Sequence, residues 1–231
     1  FFHTASLIHD DIVDESELRR GQASVNGVYD NKMAVLVGDF ILACALKCAC
    51  AAGDVRLVEV VSDAAQRLAN GELLQLQSVS NRNISEDIYF DIIKDKTAAL
   101  FAACAESGAR AAGASAEDIE RLKTFGEIVG ICFQIRDDIF DYQDDATIGK
   151  PTGNDLREGK FTLPAIYAIN NHPSERMSEL VKRVKQLTAT DAEIEEGIEF
   201  TKQHGGIEYA EEKSESESAS DDLDSFIDGI F

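Results

Sequence analysis

Proline is absent from the first 150 residues of this 231-residue chain and occurs only at positions 151, 164 and 173. Because proline breaks helices, its absence permits long helices over most of the sequence. Apolar residues recur four and three positions apart, as at Leu36 and Phe40 or at Leu73 and Leu76. No stretch shows the sustained alternation that is typical of strands. The pattern therefore predicts an all-α fold.

The predicted helices are separated by short polar segments. They lie near residues 1–16, 31–52, 54–78, 85–112, 116–143, 161–171, 175–187, 190–204 and 206–227. Ser85 and Ser115 are predicted N-caps, and only Ser115, with Asp118 three residues on, has a partial capping-box character. We expect one domain over residues 1–231. Its acidic, serine-rich end, residues 208–231, is predicted to be disordered or weakly helical.

Two aspartate clusters share the form Asp-Asp-x-x-Asp. Their members are Asp10, Asp11 and Asp14 in the first, and Asp137, Asp138 and Asp141 in the second. Residues four apart share one face of a helix, so two opposed helices would line a pocket with at least four carboxylates. Such a pocket needs cations, and Mg²⁺ commonly binds through carboxylates and substrate phosphates. The clusters predict a Mg²⁺-diphosphate site inside a helical bundle.

Basic and polar residues follow or flank both clusters at positions that suit a polyanionic ligand. They are Arg19, Arg20, Lys96, Lys150 and Lys160, together with the polar Thr97 and Gln134. Arginine forks and lysine ammonium groups both bind phosphate oxygens. Each lysine alone would be an ordinary surface residue, Gln134 an ordinary core amide, and neither Gly-Lys pair forms a P-loop. Beside two aspartate clusters, the set indicates phosphate partners.

The bulk composition excludes some classes of function. A net charge of -21 argues against nucleic-acid binding, which needs lysine and arginine. No uninterrupted apolar run reaches the roughly 18 residues of a membrane span, so none is predicted. The five cysteines are odd in number and lack disulfide spacing. Cys44 and Cys48 are four apart, which leaves a soft-metal site open, but small buried helix residues in a reducing cytoplasm are the favoured interpretation.

These motifs, in this order, resemble those of the trans-isoprenyl diphosphate synthases of the polyprenyl synthetase family. The resemblance runs from Phe1 to about Ile169 and rests on His9–Gly21, Lys96-Thr97, Phe133–Tyr142 and residues 154–164. Residues 37–40 and 71–75 resemble the long-chain members. The resemblance implies an isoprenoid synthase-type helical bundle around a deep central cavity, usually a homodimer. It also implies Mg²⁺-dependent head-to-tail condensation of isopentenyl diphosphate with an allylic diphosphate.

The resemblance assigns a role to each motif residue. Mg²⁺ on the allylic diphosphate would be held by Asp10, Asp14 and Asp137, supported by Asp11, Asp138 and Asp141. The same diphosphate would be bound by Arg19, Lys96 and Lys160, helped by Lys150. Isopentenyl diphosphate would be bound by Arg20 and His3. The allylic cation would be stabilised by the oxygens of Thr97 and Gln134.

The resemblance also bears on product length. In this family, bulky residues four or five positions before the first cluster form the floor of the elongation tunnel, and here Ser6 and Ala5 are small. A product longer than C15 is expected, and Ala5→Tyr should shorten it. Together with residues 37–40, the small residues favour a product for a quinone side chain. The alternatives are a short-chain synthase, a terpene cyclase and a non-catalytic partner subunit. The family's Gly-Gly-Lys-Arg-x-Arg-Pro segment would lie upstream of Phe1, and its absence from the given sequence favours the last alternative. The two intact aspartate clusters argue against that alternative.

Overall fold

The computed structural model describes residues 1–80, 84–143 and 152–219 and is almost wholly helical, which confirms the predicted fold class. The described residues divide into two compact units, residues 1–66 and 67–231. The elements are α1 (Phe2–Val13), β1 (Leu18–Arg19), β2 (Gln22–Ala23), α2 (Val25–Val28), α3 (Asn31–Ala51), α4 (Val55–Ser80), α5 (Glu86–Ile93), a π-turn (Lys94–Ala98), α6 (Ala99–Ala111), α7 (Ala116–Phe140), α8 (Asn154–Arg157), α9 (Leu163–Asn171), α10 (Glu175–Lys185), α11 (Asp191–Gln203) and α12 (Gly206–Ser218).

A two-stranded ribbon follows α1 in the first unit. Leu18 pairs with Ala23 and Arg19 with Gln22, so Arg20 and Gly21 form a two-residue hairpin turn. Both turn residues have positive φ, 52° and 76°, as the favoured tight hairpin turn requires. The predicted loop is therefore present, but the strands on either side of it were not predicted. Two residues per strand are too few to give an alternating pattern.

The second unit has two adjoining apolar clusters. The first is built on Tyr89, Ile93, Ala98, Ile131, Ile135, Ile139, Leu163, Ile166 and Ala210. The second is built on Tyr142, Leu156, Ala165, Met177, Leu180, Val184, Ile194 and Ile198. Helix α7 supplies Ile131, Ile135 and Ile139 to the first cluster at a spacing of four. The same helix therefore carries Gln134 and Asp138, which lie between these core positions, at a fixed depth in the unit.

Several local predictions can now be compared with the structure. Ser115 caps α7 by accepting a hydrogen bond from the backbone N–H of Asp118. Ser85 occupies the N-cap position of α5, but its side chain makes no capping hydrogen bond. The helix predicted over 85–112 is interrupted by the π-turn. The acidic end is helical as far as Ser218, and the rest of the predicted tail lies outside the described residues.

The cysteine prediction was wrong in one respect. Cys48, Cys50 and Cys104 are exposed, and Cys44 and Cys132 are only partly buried, because these positions lie on faces of α3, α6 and α7 that are open or half-open to solvent. All five thiols are free. They are not the fully buried small residues that the sequence suggested.

Helix α3 bears on the expectation that the chain has no membrane span. Within the described residues, it alone is long and apolar enough to cross a membrane by length and composition, with a mean hydropathy of 2.0. Only 17% of that window is buried. Asp39 and Lys47 interrupt its apolar sequence, which is why it contains no uninterrupted apolar run. Large core helices of other proteins pass the same test.

Candidate active site

The first aspartate cluster lies at the C-terminal end of α1, in the first unit. Asp11 is buried, and its Oδ1 accepts hydrogen bonds at 2.7 Å from the Arg19 guanidinium. Its backbone oxygen accepts from the Asn26 amide at 3.3 Å. Asp14 is the C-cap residue of α1. The ribbon therefore places Arg19, a predicted diphosphate ligand, directly on a carboxylate of the predicted metal cluster.

The second cluster lies at the end of α7, and its three carboxylates have different surroundings. Asp137 is exposed, whereas Asp138 is buried with 4% of its surface accessible. Asp141 accepts hydrogen bonds from the backbone N–H groups of Asn154 and Asp155 at 3.0 and 3.1 Å. Asp141 thus holds the start of the short helix α8. In this arrangement it anchors the segment that carries Asp155.

Asp138 is the centre of a chain of hydrogen bonds that is buried at Tyr89 and Asp138 and partly buried at Gln134 and Thr97. Its Oδ2 accepts from the Tyr89 hydroxyl and its Oδ1 from the Gln134 amide nitrogen, each at 2.7 Å. The Gln134 oxygen accepts from the Thr97 hydroxyl, also at 2.7 Å. Burial, and then the negative charge of Asp155, raise the pKa of Asp138 well above its ordinary value. The chain connects one residue of the second cluster to Thr97.

The π-turn places Lys96 and Thr97 side by side. Lys96 Nζ lies 2.5 Å from the Glu72 carboxylate and donates to the Gln75 side-chain oxygen at 3.3 Å. Glu72 and Gln75 are three residues apart on α4 and so share one face of that helix. The buried Glu72 oxygens accept no well-aligned hydrogen bond within the described residues, so the contact with Lys96 is an ion pair without ideal geometry.

Lys160 approaches the same region from the segment between α8 and α9. Its backbone N–H donates to the Asp155 carbonyl at 2.8 Å, and its Nζ lies 2.6 Å from Glu158. Burial, followed by the charge of Asp141, raises the pKa of Asp155 to about 7, although Lys160 opposes that shift. A short turn therefore presents one ammonium group and one half-buried carboxyl group together.

These groups converge on one cavity of about 170 Å³ in the second unit. Its polar wall includes Lys96, Thr97, Gln134, Asp138, Asp155 and Lys160. Its apolar wall includes Ile84, Ile88, Ile92, Phe161 and Ile166. One side of the cavity can therefore bind an anionic group and the other a hydrocarbon.

Comparison with known proteins identifies the family. The family model described as polyprenyl synthetase matches residues 1–200. The octaprenyl diphosphate synthase of Escherichia coli strain K12 is 37% identical over 219 residues, which cover 94% of this chain and 68% of that protein. The chain belongs to the polyprenyl synthetase family.

Solved structures of the family have the same fold. A geranylgeranyl pyrophosphate synthase from Bacteroides thetaiotaomicron matches with 47% identity and a TM-score of 0.83, covering 94% of this chain and 68% of that one. A decaprenyl diphosphate synthase from Rhodobacter capsulatus matches with 37% identity and a TM-score of 0.88, covering 97% and 69%. The predicted family and the isoprenoid synthase-type fold are confirmed.

The structure brings together part of the predicted polyprenyl synthetase site. Lys96, Thr97, Gln134, Asp138 and Lys160 line one cavity. Asp10, Asp11, Asp14, His3, Arg19 and Arg20 lie in the first unit, and their relation to that cavity stays a prediction. His3 and Asp137 are exposed. Lys150 lies outside the described residues.

The carboxylates suit the Mg²⁺ that the resemblance to the family implies. Among the residues that the structure describes, no three His, Cys, Asp or Glu side chains form a ready-made metal site. The pKa values of Asp138 and Asp155 are nevertheless both raised by burial and by neighbouring negative charge. A hard cation with oxygen ligands would relieve that repulsion. The donor set fits such an ion.

Three further residues that contribute to this site were not predicted from the sequence. Tyr89 and Asp155 line the cavity, and Glu72 contacts Lys96. Asp155 stands beside Asn154 in a segment that resembles the family's closing loop, which was a usable signal. Glu72 belongs to residues 71–75, which resemble the long-chain members, but that resemblance gave it no role. Tyr89 lies inside a helix among apolar residues and gave no separate signal. Only the packing of the helices brings Tyr89 to the cavity and Glu72 to Lys96.

Proposed function

We propose that the protein is a Mg²⁺-dependent trans-prenyltransferase that condenses isopentenyl diphosphate head-to-tail with an allylic diphosphate. The product is a polyprenyl diphosphate longer than C15. The cavity of the second unit carries the proposal, because two lysines, a Thr97–Gln134 pair and an apolar wall meet there. The named products of the relatives, octaprenyl, decaprenyl and geranylgeranyl diphosphates, support the product class.

Different cavity residues would contribute to different parts of the ionisation of the allylic substrate. Lys96 and Lys160 bind the diphosphate, and their charge stabilises the anion that forms as the C–O bond breaks. Asp10, Asp14 and Asp137 would hold Mg²⁺, with Asp11, Asp138 and Asp141 in support, and the ion would supply positive charge that stabilises the leaving diphosphate. The isoleucines of α5 exclude water, which would otherwise hydrolyse the cation.

The oxygens of Thr97 and Gln134 lie beside the developing allylic cation. Arg20 and His3 bind isopentenyl diphosphate, whose double bond attacks that cation. Its C-2 proton then leaves to the departing diphosphate, so no dedicated protein base is required. By the same proposal, Arg19 and Lys150 bind the allylic diphosphate together with Lys96 and Lys160.

Turnover by the purified protein tests the function. Labelled isopentenyl diphosphate, supplied with geranyl or farnesyl diphosphate and Mg²⁺, should yield long labelled products in reversed-phase chromatography. Lys96→Ala should lower kcat/KM about 10²- to 10³-fold, the usual loss for one group that stabilises developing charge. Lys182→Ala, on the exposed surface of α10, is the matched control. A hydrocarbon formed from the allylic diphosphate alone would instead identify a cyclase.

We also propose that two copies associate through α3. Leu36 and Phe40, four residues apart on this helix, are 64% and 69% exposed. Exposed apolar patches of this kind mark interaction surfaces. Leu36→Asp should convert a dimer to a monomer in light scattering. Leu187→Asp, at an equally exposed leucine outside α3, should leave the dimer intact. A wild-type monomer would contradict the proposal.

The free thiols support a cytoplasmic location for this enzyme. All five cysteines lie in the described part of the chain and none forms a disulfide. A chain that folds in an oxidising compartment usually pairs its cysteines.

A further inference from the structure

Tyr89 lies at the end of the chain of hydrogen bonds that leads into the cavity. It is 5% exposed, and its hydroxyl donates to Asp138 Oδ2 at 2.7 Å. It packs at the edge of Phe90, with ring centroids 5.3 Å apart. Packing and the hydrogen bond together fix the position of the hydroxyl.

The chemistry of each group fixes the direction of the chain. The Asp138 carboxylate accepts hydrogen bonds at both oxygens, one from Tyr89 and one from the Gln134 amide nitrogen. Because the nitrogen of Gln134 faces Asp138, its oxygen must face Thr97. The Thr97 hydroxyl therefore donates its only hydrogen to the Gln134 oxygen. The lone pairs of Thr97 are left for whatever lies in the cavity.

This direction matters for a cation. A hydroxyl that pointed its hydrogen into the cavity would oppose positive charge there, whereas lone pairs favour it. A preorganised dipole costs no reorientation at the moment when the charge develops. If Tyr89 did not occupy one oxygen of Asp138, the carboxylate could rotate and release the Gln134 amide. The orientation of Thr97 would then no longer be fixed.

We propose that Tyr89 is a positioning residue that, through Asp138 and Gln134, turns the oxygen of Thr97 towards the allylic cation. The assignment rests on the proposed function, because it gives Thr97 its substrate. Tyr89 itself does not touch the reacting atoms. It acts through two intermediate side chains.

Tyr89→Phe removes only the hydroxyl and keeps the ring. We expect kcat to fall about tenfold, less than the direct loss of a charge-stabilising group, while the KM for isopentenyl diphosphate stays unchanged. The matched control is Tyr209→Phe, since Tyr209 also donates to a carboxylate, Glu86 at 2.8 Å, but does not line the cavity. An unchanged kcat in Tyr89→Phe would overturn the proposal.

A double-mutant cycle separates positioning from general damage. In Thr97→Val the dipole is gone, so adding Tyr89→Phe should lower kcat less than twofold further. If the kcat losses of Tyr89→Phe and Thr97→Val multiply in the double variant, the positioning of Thr97 by Tyr89 would be refuted. Tyr209→Phe should instead combine with Thr97→Val by simple multiplication.

The same variants give a readout that does not need activity. Because three hydrogen bonds link Tyr89 to Thr97, the Tm shifts of the two single variants should not add in the double variant. Additive Tm shifts would overturn the proposed positioning of Thr97 by Tyr89 even if the enzyme is active. If the Tm shifts are non-additive but the wild-type protein shows no prenyl transfer, only the proposed function would be overturned.

Discussion

At the scale of single residues, Gly71 and Gly130 permit the contacts that place Lys96 and Thr97. A Cβ at Gly71 would lie 2.5 Å from the Lys96 backbone nitrogen, and one at Gly130 would lie 2.5 Å from the Ala98 Cα. Real Cβ atoms do not approach backbone atoms this closely. Helices α4 and α7 therefore both pack directly on the backbone of the π-turn.

Gly71→Ala should consequently displace the π-turn. We expect a loss of about 1–3 kcal/mol in the free energy of unfolding, the usual cost of overpacking, together with weaker binding of the allylic diphosphate. Denaturant unfolding and the KM for that substrate measure the two effects. Gly108→Ala is the control, because an added Cβ there meets nothing and alanine favours the helix by up to about 1 kcal/mol. Equal stability of the two variants would contradict the prediction.

The carboxyl groups of the cavity predict a pH dependence of the metal-free protein. Burial raises the pKa of Asp155 to about 7. The folded state therefore binds this proton more tightly than the unfolded state does, and stability should fall as pH rises from about 4 to 7. The slope is at most about 1.4 kcal/mol per pH unit for one group. Asp138 shares this titration, since the two carboxyl groups interact.

Denaturant titrations in EDTA at several pH values measure this slope. Asp155→Asn should flatten it, and Asp63→Asn, at an exposed position on α4, should not. Mg²⁺ with inorganic diphosphate should also flatten the slope in the wild-type protein if the carboxylates bind the ion. A stability that rises with pH over this range would show that the sign is wrong.

At the residue scale, sequence pattern singled out the candidate site residues that belong to motifs but not their partners. Lys96, Thr97, Gln134 and Asp138 have recognisable neighbours in the chain, and all four line one cavity. Their roles there stay predictions. Tyr89 is 49 positions from Asp138, so its hydrogen bond depends on the packing of α5 against α7. No local pattern encodes a contact of that range.

At the scale of elements, the interruption between α5 and α6 is the main feature that the sequence concealed. Residues 85–112 contain no proline, and their only glycine, Gly108, lies well after the interruption, so one helix was the natural prediction. The π-turn inserts an extra residue into the helical register, as occurs frequently at functional sites. It is held from outside: Arg67 donates to Asp95 at 2.8 Å and Asn70 donates to Asp95 at 2.7 Å. Because these contacts come from residues distant in the chain, the local sequence pattern does not indicate the π-turn.

Capping offers a test at the same scale. Ser115→Ala should cost about 1 kcal/mol of unfolding free energy, because the hydroxyl accepts a hydrogen bond from the Asp118 N–H. Ser85→Ala should cost almost nothing, because the Ser85 side chain makes no capping bond. Thermal unfolding compares the two variants at equivalent positions of their helices. Similar losses in both would show that the two serines cap alike, as the sequence alone suggested.

At the scale of the whole molecule, the two aspartate clusters fall in different compact units. Their common form in the sequence predicts a shared site, and that stays a prediction. Within the second unit, the acidic, basic and apolar walls of the cavity come from segments far apart in the chain. The fold class could be predicted because helical periodicity is local, whereas the cavity depends on how the helices pack.

Product length is a property of the whole molecule, and burial decides which residue tests it. Ala5 is only 1% exposed, so Ala5→Tyr should first destabilise α1 by about 1–3 kcal/mol through overpacking.

Ser6 is half-buried, and its hydroxyl only donates to the His3 carbonyl at 2.9 Å. If the growing chain passes this position, Ser6→Phe should shorten the product at little cost in stability. Thr4→Phe, on an exposed face of the same helix, should leave its length unchanged. Reversed-phase chromatography of the dephosphorylated products measures the length, and an identical distribution for Ser6→Phe and the wild type would place the end of the tunnel elsewhere.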